Sequence, residues 1–443
     1  MTANASAANS TPLERDAQLL TSHDAKVGPG DIAIGVIIGR TSEFFDFFVY
    51  AIASVLVFPS YVFPFADPLT ATLYSFALFS LAFVGRPIGT LIFTYLDQKH
   101  GRGVKLTIAL FLLGGSTIAI ALLAGYAQIG AASIGLLGFF RLMQGVALGG
   151  TWDGLPSLLS LNAPSAKRGW YAMIPQLGAP LGLVLASALF AYFLGILSPQ
   201  DFLSWGWRYP FFVALAINVV ALFARLRLVQ TPEFKRLFDN RELQPSPPFA
   251  TLRAQWRTIV LGSFAPLASF ALFHLVTVFP LSWVKLTTNE SLVRFLLLEA
   301  LGAAVCVLAM LGSGAIADRV GRRAVLGVSA ALIGAYSGFA PQLLGAGEIG
   351  EAFYMLSGFV LLGLAFGQSS GIVNASFDRQ HRYTGAAIVS NSAWFFGAGF
   401  APLVALFLAS QIGLWAIGLY LLSGVIGTLG ALFINRELAG RTA

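Results

Sequence analysis

Two carboxylates stand inside the first long apolar run of the chain, in the stretch TSEFFDFFVY at residues 41–50. A charged side chain near the centre of a bilayer costs roughly 2.5–3.5 kcal/mol on insertion scales, so each one needs a partner or a function. Glu43 and Asp46 are three residues apart, which places them on one face of a helix, and Tyr50 extends that face. Carboxylates that share one cation do not both ionise easily, which suits a group that binds and releases protons.

Each carboxylate has two interpretations, a proton carrier or a member of a static ion pair that ties helices together. We favour the proton carrier for Asp46. Glu43 lies nearer to the start of its helix, so we favour the ion pair there. Asp153 lies at a comparable depth in a later apolar run and is a further candidate for proton coupling.

Arg86 is the cation that the second apolar run places at a depth similar to that of Glu43 and Asp46, by a rise of ~1.5 Å per residue. A buried guanidinium group has five donors and binds carboxylates well. Arg86 therefore either holds a substrate carboxylate, or neutralises the two acids in a Glu43–Arg86–Asp46 network. A shared water-filled cavity is the simplest arrangement of these groups.

Further polar residues in apolar runs are candidates for lining this cavity. His274 either titrates near neutral pH or is a hydrogen-bonded packing residue. Glu299 is expected within two turns of the outer surface, solvated or paired. The other candidates for contact with a substrate are Tyr50, Thr151, Asn374, Asn391 and Trp394, and Ser269 and Gln368 are further candidates for lining the cavity.

The composition identifies the elements that hold these residues. The 443 residues are 57% hydrophobic and only 11% charged, which is too little charge to cover a soluble protein. Apolar runs of ~20 residues, long enough to cross a bilayer, recur about twelve times. They begin near Asp31, Leu69, Lys105, Ala131, Arg168 and Ser204, and then near Trp256, Ser291, Arg323, Gly350, Tyr383 and Gln411. We predict an all-α polytopic membrane protein with the lipid bilayer as its surroundings.

Basic loops alternate with loops that carry no Lys or Arg. The basic loops are 97–105, 163–169, 317–323 and 377–383, and the others are 59–68, 125–130 and 344–351. Since basic loops stay in the cytoplasm, both termini are predicted to be cytoplasmic. The net charge of +7 follows this pattern, which indicates topology and argues against nucleic-acid binding.

The most polar internal stretch divides the apolar runs into two sets of six. We predict a cytoplasmic linker there, in part an amphipathic helix on the membrane surface. The predicted organisation is a disordered tail (1–30), a first bundle (31–227), the linker (228–255), a second bundle (256–435) and a short cytoplasmic tail (436–443).

A short basic loop occurs once in each set, as DQKHGRGVKL after the second run and as ADRVGRRAVL after the eighth. Each loop places Gly–Arg in a tight turn, at Gly101–Arg102 and at Gly321–Arg322. Glycine permits the reversal, and acidic and basic groups beside it can interact with helix ends. The repeat indicates two homologous six-helix bundles.

This loop resembles the signature of the major facilitator superfamily. Further segments resemble the metabolite:proton symporter family within it: SEFFDFFVY, FVGRPIGTLIF, RLMQGVALGG, KRGWYAMIPQLGAPLGLVLAS, WGWRYPFF, QTPEF and RYTGAA. The resemblance implies two six-helix bundles and a bacterial inner-membrane symporter that imports small organic acids or zwitterions with protons. It also implies that Arg141 couples the fourth span to the first, which makes it a further candidate for proton coupling; a helix-packing ion pair is the alternative.

The resemblance further implies that the repeated loops latch the bundles in one state. The residues concerned are Asp97, Gln98, Gly101 and Arg102 in the first loop and Asp318, Gly321 and Arg322 in the second. Three positions depart from the family pattern. Gln98 replaces an Asp, with Asp97 beside it as the candidate substitute. Thr151 replaces a Glu, with Asp153 two residues later, and Ala375 replaces another Glu.

Enzyme motifs are missing from the sequence, which has no Walker motif, no paired-cysteine metal spacing and no supported Ser-His-Asp set. The glycine-rich GVALGG at 145–150 lies inside an apolar run and is not a phosphate loop. The single cysteine, Cys306, excludes an intrachain disulfide. We expect no enzymatic activity, no metal and no cofactor.

We predict a monomeric, proton-coupled uptake transporter for a small carboxylate or zwitterion, working by alternating access. In this prediction Arg86 holds the substrate carboxylate and Asp46 carries the proton. The departures at Gln98, Thr151 and Ala375 leave two alternatives: a passive facilitator or exporter on the same fold, or a non-transporting sensor or assembly partner.

Overall fold

The computed structural model describes residues 29–151, 159, 163–229, 244–370 and 377–434. Twelve long helices account for most of them, and we number these α1 to α12. They are α1 (Pro29–Leu56), α2 (Pro68–His100), α3 (Arg102–Ala121), α4 (Ala132–Gly150), α5 (Arg168–Ile196), α6 (Tyr209–Val229), α7 (Pro248–Phe264, Leu267–Thr277 and Phe279–Thr287), α8 (Leu292–Val320), α9 (Arg322–Ser337), α10 (Gly347–Phe366), α11 (Arg379–Ile412) and α12 (Trp415–Ile434). Short helices at Phe58–Val62, Tyr126–Ile129, Pro199–Ser204 and Ala340–Leu344 lie in the connections.

Ten of the twelve helices are long and apolar enough to cross a membrane within the described ranges. The other two are α1, which carries the carboxylates Glu43 and Asp46, and α9, which has 16 residues. The predicted all-α architecture with about twelve membrane-spanning helices is confirmed. Large apolar side chains such as Phe111, Leu308 and Phe433 are exposed on the outer surface, as contact with lipid tails requires.

The seventh helix differs from its predicted start at Trp256. It begins at Pro248, and Gln255 departs from helical geometry (φ −124°, ψ 25°). The chain therefore enters the second bundle as a kinked helix, part of which lies in the stretch predicted as linker. The predicted amphipathic helix of the linker falls mostly on residues 230–243, which lie outside the described residues.

The helices form two halves that meet along two seams. In the first half α1 packs against α5 and α6, α2 against α4, and α3 against α6. In the second half α8 packs against α10, and both α7 and α9 pack against α12. The halves meet chiefly where α5 contacts α8 and where α2 contacts α11. This is the predicted arrangement of two six-helix bundles.

The glycines of GVALGG let α4 lie directly on the backbone of α2. A Cβ atom on Gly145 would overlap the Ala82 carbonyl oxygen, and one on Gly149 would overlap the Arg86 carbonyl oxygen. Small residues at a helix crossing permit such close backbone contact. The glycine-rich run therefore positions α2, the helix that carries Arg86.

The two ends of the bundle differ in their loops. We call the end with the loops after α2 and α8 the basic end, and the other the opposite end. Gly101 and Gly321 occupy equivalent positions at the basic end, with φ values of 84° and 85°. These left-handed conformations favour glycine, so the repeated Gly–Arg loops have one geometry in both halves.

Candidate functional site

Glu43 lies in an ion triad with two arginines. Its carboxylate is 2.6 Å from Arg40 Nη1, one turn earlier on α1, and 2.7 Å from Arg225 Nη2 on α6. Arg225 Nη1 also donates to the Thr151 carbonyl oxygen at 3.2 Å. The predicted pairing of Glu43 with Arg86 is wrong, because these two arginines take that place. Glu43 therefore takes part in an ion pair, but with partners other than the predicted one, and its static role stays a prediction.

Asp46 is held by neutral donors from three other helices. Thr117 Oγ1 on α3 is 2.8 Å from both carboxylate oxygens, and Asn218 Nδ2 on α6 donates at 2.8 Å. Gln144 Nε2 on α4 donates at 3.1 Å. No cation of the described residues lies within ion-pair distance of Asp46, so the predicted Glu43–Arg86–Asp46 network is not formed. Both carboxylates do contact α6, in agreement with their placement on one helix face.

Arg141 is linked to Asp46 through Gln144. Its Nη1 donates to Gln144 Oε1 at 3.0 Å, and its Nε donates to the Phe79 carbonyl oxygen at 3.2 Å. The guanidinium carbon lies 3.9 Å from the centre of the Tyr50 ring. Nη2 is buried and has no hydrogen-bond partner among the described residues. Arg141 thus connects α4 to α1 through Gln144 and through an aromatic ring.

Five rings from both halves pack together where the bundles meet, and we call them the central aromatic cluster: Phe47, Phe79, Phe83, His274 and Trp394. His274 stacks on Phe47 with ring centres 5.4 Å apart, and Phe83 stacks on Trp394 at 6.1 Å. His274 is fully buried, and its Nε2 has no partner in the part of the chain that is described. The cluster joins α1 and α2 to α7 and α11 at the interface of the halves.

Arg86 lies beside this cluster. Its guanidinium carbon is 5.5 Å from the centre of the Trp394 ring, within the range of a cation–π contact. Its Nε is buried without a hydrogen-bond partner, and no described carboxylate lies within ion-pair distance. A guanidinium group in this position has donors available for a bound anion.

The remaining predicted site residues are dispersed. Asn391 Nδ2 donates to Thr90 Oγ1 at 2.6 Å, which joins α11 to α2 near Arg86. The Tyr50 hydroxyl group is buried without a partner in the described ranges. Ser269 bonds locally to the Pro266 carbonyl oxygen and is not part of the cluster. Asp153, Asn374 and Ala375 lie outside the described residues.

Asp97, and not Gln98, occupies the charged loop of the first half. Its buried carboxylate is 3.0 Å from Lys105 Nζ and 3.4 Å from Arg102 Nε. Lys105 Nζ also donates to the Tyr383 hydroxyl group of α11 at 2.8 Å, which ties this loop to the second half. Gln98 faces outward and donates to a carbonyl of the 244–247 segment.

The loop of the second half makes the reciprocal contact. Asp318 Oδ1 accepts from the backbone N–H groups of Gly169 at 2.7 Å and Trp170 at 3.2 Å, so it caps the start of α5. Arg322 Nε donates to Gln368 Oε1 at 3.2 Å, and Gln368 Nε2 donates to the Gly169 carbonyl oxygen. Gln368 therefore lies at the basic end and does not line the centre.

The halves also touch at the opposite end. Lys285 Nζ on α7 donates to the carbonyl oxygens of Val55 at 2.6 Å and Leu56 at 3.3 Å, the last residues of α1. Ser187 on α5 hydrogen-bonds to Glu299 on α8. Glu299 is buried and not solvated, because α5 covers it. With contacts at both ends, the described arrangement is an occluded one.

Several polar partners at this site were not predicted from the sequence: Arg40, Thr117, Gln144, Asn218, Arg225 and Lys285. Each has a signal in the sequence, because each is a polar residue in an apolar run. Arg225 and Lys285 stand near the ends of apolar runs, where charged residues are also typical of loops. The sequence pattern does not show toward which neighbouring helix each of these six side chains points.

The comparisons with known proteins agree with this architecture. Residues 42–392 match the family model of the Major Facilitator Superfamily. The inner membrane metabolite transport protein YhjE of Escherichia coli K12 is 38% identical over 416 residues, which cover 92% of this chain and 94% of that protein. The shikimate transporter of the same organism is 29% identical, over 91% of this chain and 94% of that protein.

Two further similarities concern substrates and fold. The proline/betaine transporter of Salmonella typhimurium LT2 is 28% identical, over 91% of this chain and 84% of that protein. Among solved structures, a D-xylose-proton symporter superposes with a TM-score of 0.71 at 16% identity, over 95% of this chain and 100% of that one. At that identity the structural similarity indicates the fold alone.

Proposed function

Since the chain belongs to the Major Facilitator Superfamily, we propose that it is a secondary active transporter that takes up a small organic acid or zwitterionic metabolite together with protons. Its similar proteins are metabolite transporters, and none of those described above is named as an enzyme. A relative named as an inner membrane protein supports a bacterial inner-membrane location, and the basic loops support cytoplasmic termini; we also propose a monomer.

The observation that carries the proposal is the contrast between the two acids of α1. Protonating Glu43 would remove the anion that pairs with both the half-buried Arg40 and the buried Arg225, which is strongly unfavourable. Protonating Asp46 breaks no direct ion pair, since its partners Thr117, Gln144 and Asn218 are neutral and Arg141 reaches it only through Gln144. Asp46 can therefore gain and lose a proton at a lower cost in electrostatic energy, and we propose it as the proton carrier.

A hydrogen-bonded chain connects Asp46 to the centre of the molecule. Gln144 donates to Asp46 and accepts from Arg141, whose guanidinium group lies against Phe47 and Tyr50. Gln144 loses an anionic acceptor when Asp46 is protonated, and its contact with Arg141 changes as a result. This is the route by which protonation would act on the central aromatic cluster.

The substrate class follows from what lies at the cluster. Arg86 supplies donors for a carboxylate and has no anionic partner of its own in the described part of the chain. The aromatic rings suit an apolar portion of the substrate, or a cationic portion through cation–π contacts. Small carboxylates and betaine-like zwitterions combine these features. Two relatives are named as transporters of such compounds, shikimate and proline/betaine.

Transport requires the central rings to separate, because Phe47 and His274 are in stacking contact across the interface of the halves. In the proposed cycle the two bundles rock about this centre and expose Arg86 to one side at a time. The contacts at each end of the bundle would break in alternation.

The experiment begins with a thermal-shift screen of the purified protein against organic acids and betaines. A compound that stabilises the protein is then tested for uptake into proteoliposomes, with and without an inward proton gradient. We expect wild type to accumulate it uphill only with the gradient. Asp46→Asn should lose uphill accumulation and keep exchange of substrate. Asp67→Asn, a change at an exposed helix cap that Asn also suits, serves as the matched control.

The outcomes separate the alternatives. If Asp46→Asn still accumulates substrate uphill, Asp46 is not the proton carrier. Wild-type flux that ignores the proton gradient would identify a passive facilitator. Stabilisation by a compound that never crosses the membrane would identify a non-transporting sensor.

A further inference from the structure

We propose that Glu299 is a second proton-binding site, separate from Asp46, and that its protonated form closes α5 against α8 at the opposite end of the bundle. The proposal rests on the proposed function only in that the two halves move against each other. The proton bound there acts on a gate and differs from the one carried by Asp46.

The position of Glu299 makes it part of the seam between the halves. It lies about two turns from the start of α8 at Leu292. Glu299 is 1% exposed, and its Oε2 is 3.0 Å from the Ser187 hydroxyl oxygen of α5. Ser187 is fully buried. Since α5 belongs to the first half and α8 to the second, this hydrogen bond exists only while the halves are together at this end.

The helix faces on each side of this contact are apolar. On α8 the residues one turn before and after Glu299 are Phe295 and Ala303, both fully buried. On α5 the residues one turn from Ser187 are Leu183 and Ala191, also buried. An ionised carboxylate in such surroundings requires a counter-charge or several donors, and a single hydroxyl group supplies neither.

The nearby arginine of α8 is committed to other acids. Arg294 Nη1 is 3.2 Å from Glu290 and 3.6 Å from Glu351, and its Nη2 is 3.1 Å from Glu348. These three carboxylates lie on α10 and on the connection before α8, so α10 offers further negative charge and no cation among the described residues. Arg294 therefore does not neutralise Glu299.

The other groups around this end are also occupied. Lys285 of α7 donates to the carbonyl oxygens at the end of α1. Arg208 donates to the carbonyl oxygen of Ala121 and to the Tyr61 hydroxyl group. The Tyr354 hydroxyl group of α10 donates to a carbonyl oxygen of α7. Within the described residues, Glu299 has Ser187 as its hydrogen-bond partner and no ion-pair partner.

The closed seam therefore accepts Glu299 as a neutral carboxylic acid. When α5 and α8 separate at the opposite end, water reaches the carboxyl group and it can release its proton. Closure then requires a proton, and opening releases one. It follows that acid on this side of the membrane favours the closed seam, and alkali favours opening.

The test measures opening of the seam directly and needs no substrate. The full-length protein carries two substitutions for this test. Cys306→Ser removes the single native thiol. Ala191→Cys introduces a new thiol on the same face of α5 as Ser187, at a position that is 3% exposed. The rate of alkylation by N-ethylmaleimide is measured from about pH 5 to about pH 9, the range around neutrality in which buried carboxyl groups can titrate. The same rate is measured with Glu299→Gln added, which mimics the protonated acid.

Dividing the rate measured with Glu299 by the rate measured with Glu299→Gln removes the pH dependence of the thiol's own reactivity. We expect a ratio near one in acid and a rise of about tenfold per pH unit over the range in which Glu299 releases its proton, because one proton leaves per opening. Glu348→Gln, at an exposed acid of the same end, should leave the profile unchanged. A ratio that stays flat across the range overturns the proposal, as does an equal effect of Glu348→Gln.

A second variant covers the case in which Glu299→Gln does not fold. Ser187→Ala keeps the carboxyl group and removes the hydroxyl group that donates to its charged form. The midpoint of the alkylation profile should then move to higher pH, and an unmoved midpoint contradicts the assignment. Asp46→Asn should leave the pH profile of alkylation unchanged. A failure of the transport proposal can therefore be distinguished from a failure of the proposal for Glu299.

Discussion

At the scale of single residues, the two acids of α1 differ because their neighbours differ. Glu43 and Asp46 are one turn apart, both buried, and identical in charge when ionised. Glu43 is balanced by two guanidinium groups, whereas Asp46 accepts hydrogen bonds from an alcohol and two amides. One arrangement fixes a charge in place, and the other tolerates its loss.

This difference predicts opposite costs for two conservative changes. Glu43→Gln should lower the free energy of unfolding by about 3 kcal/mol or more, because it removes the anion that pairs with both Arg40 and Arg225. Asp46→Asn should cost about 1 kcal/mol, the value of one imperfect hydrogen bond. Thermal unfolding of the purified protein in detergent compares the two. Equal destabilisation by both variants would contradict the assignment of Glu43 as the static ion pair.

The depth of these residues was predictable from the sequence, but their partners were not. Counting residues along apolar runs gives the height of a side chain in the membrane, since the rise per residue is fixed. It does not give the direction in which the side chain points around the bundle. Glu43 and Arg86 were therefore placed at similar depth, but Arg225 of α6 proved to be the partner across the bundle.

At the scale of helices, the contact of α2 with α4 depends on missing side chains. A Cβ atom on Gly85 would lie 2.6 Å from the Leu142 carbonyl oxygen, and one on Gly145 would overlap the carbonyl oxygen of Ala82. The periodicity of apolar residues predicted both helices. The glycine-rich run is also visible in the sequence, but the sequence does not show which helix crosses α4 at these glycines.

A matched pair of substitutions on α4 tests this contact. Gly145→Ala should destabilise the protein by about 1–3 kcal/mol, because the new methyl group forces the two backbones apart. Gly135→Ala lies on the same helix with nothing within 4 Å of the added carbon, so it should be neutral or stabilise by about 0.4–1 kcal/mol. Thermal unfolding midpoints give the comparison. Since alanine is the better helix former, equal harm from Gly135→Ala would show that close packing against α2 is not the cause of the loss.

Helix ends were predicted less well than helix positions, for a physical reason. The apolar pattern of α7 indicates a span from Trp256 onward, yet the helix begins at Pro248 and bends at Gln255. A polar helical turn outside the membrane carries no apolar signal. The repeated loops were predicted more closely, because glycine at a left-handed turn leaves a mark in the sequence that does not depend on burial.

At the scale of the whole molecule, different chemistry joins the halves at each end. At the basic end the Asp318 carboxylate caps the first N–H groups of α5, where the helix dipole favours an anion. At the opposite end the Lys285 ammonium group caps the last carbonyl groups of α1, where the dipole favours a cation. Each contact links a charge of one half to a helix end of the other.

These two caps predict opposite shifts in the balance between open states. In an alternating cycle, weakening one end favours opening there, and the other end closes. Lys285→Gln should therefore raise the alkylation of a cysteine at residue 191, beside the opposite end. Asp318→Asn should lower it below the wild-type level. Each cap contributes about 1 kcal/mol, so each rate should change by about fivefold in a protein that samples both states.

Lys167→Gln provides the control, because Lys167 is an exposed lysine of the basic end. It should leave the alkylation rate unchanged, which separates loss of a specific cap from a general change in charge. The opposite signs are the decisive feature of the test. A simple loss of stability in either variant would expose residue 191 and raise its alkylation. Only a two-state balance in which the ends open in alternation lets Asp318→Asn reduce the reactivity of a cysteine at the far end of α5.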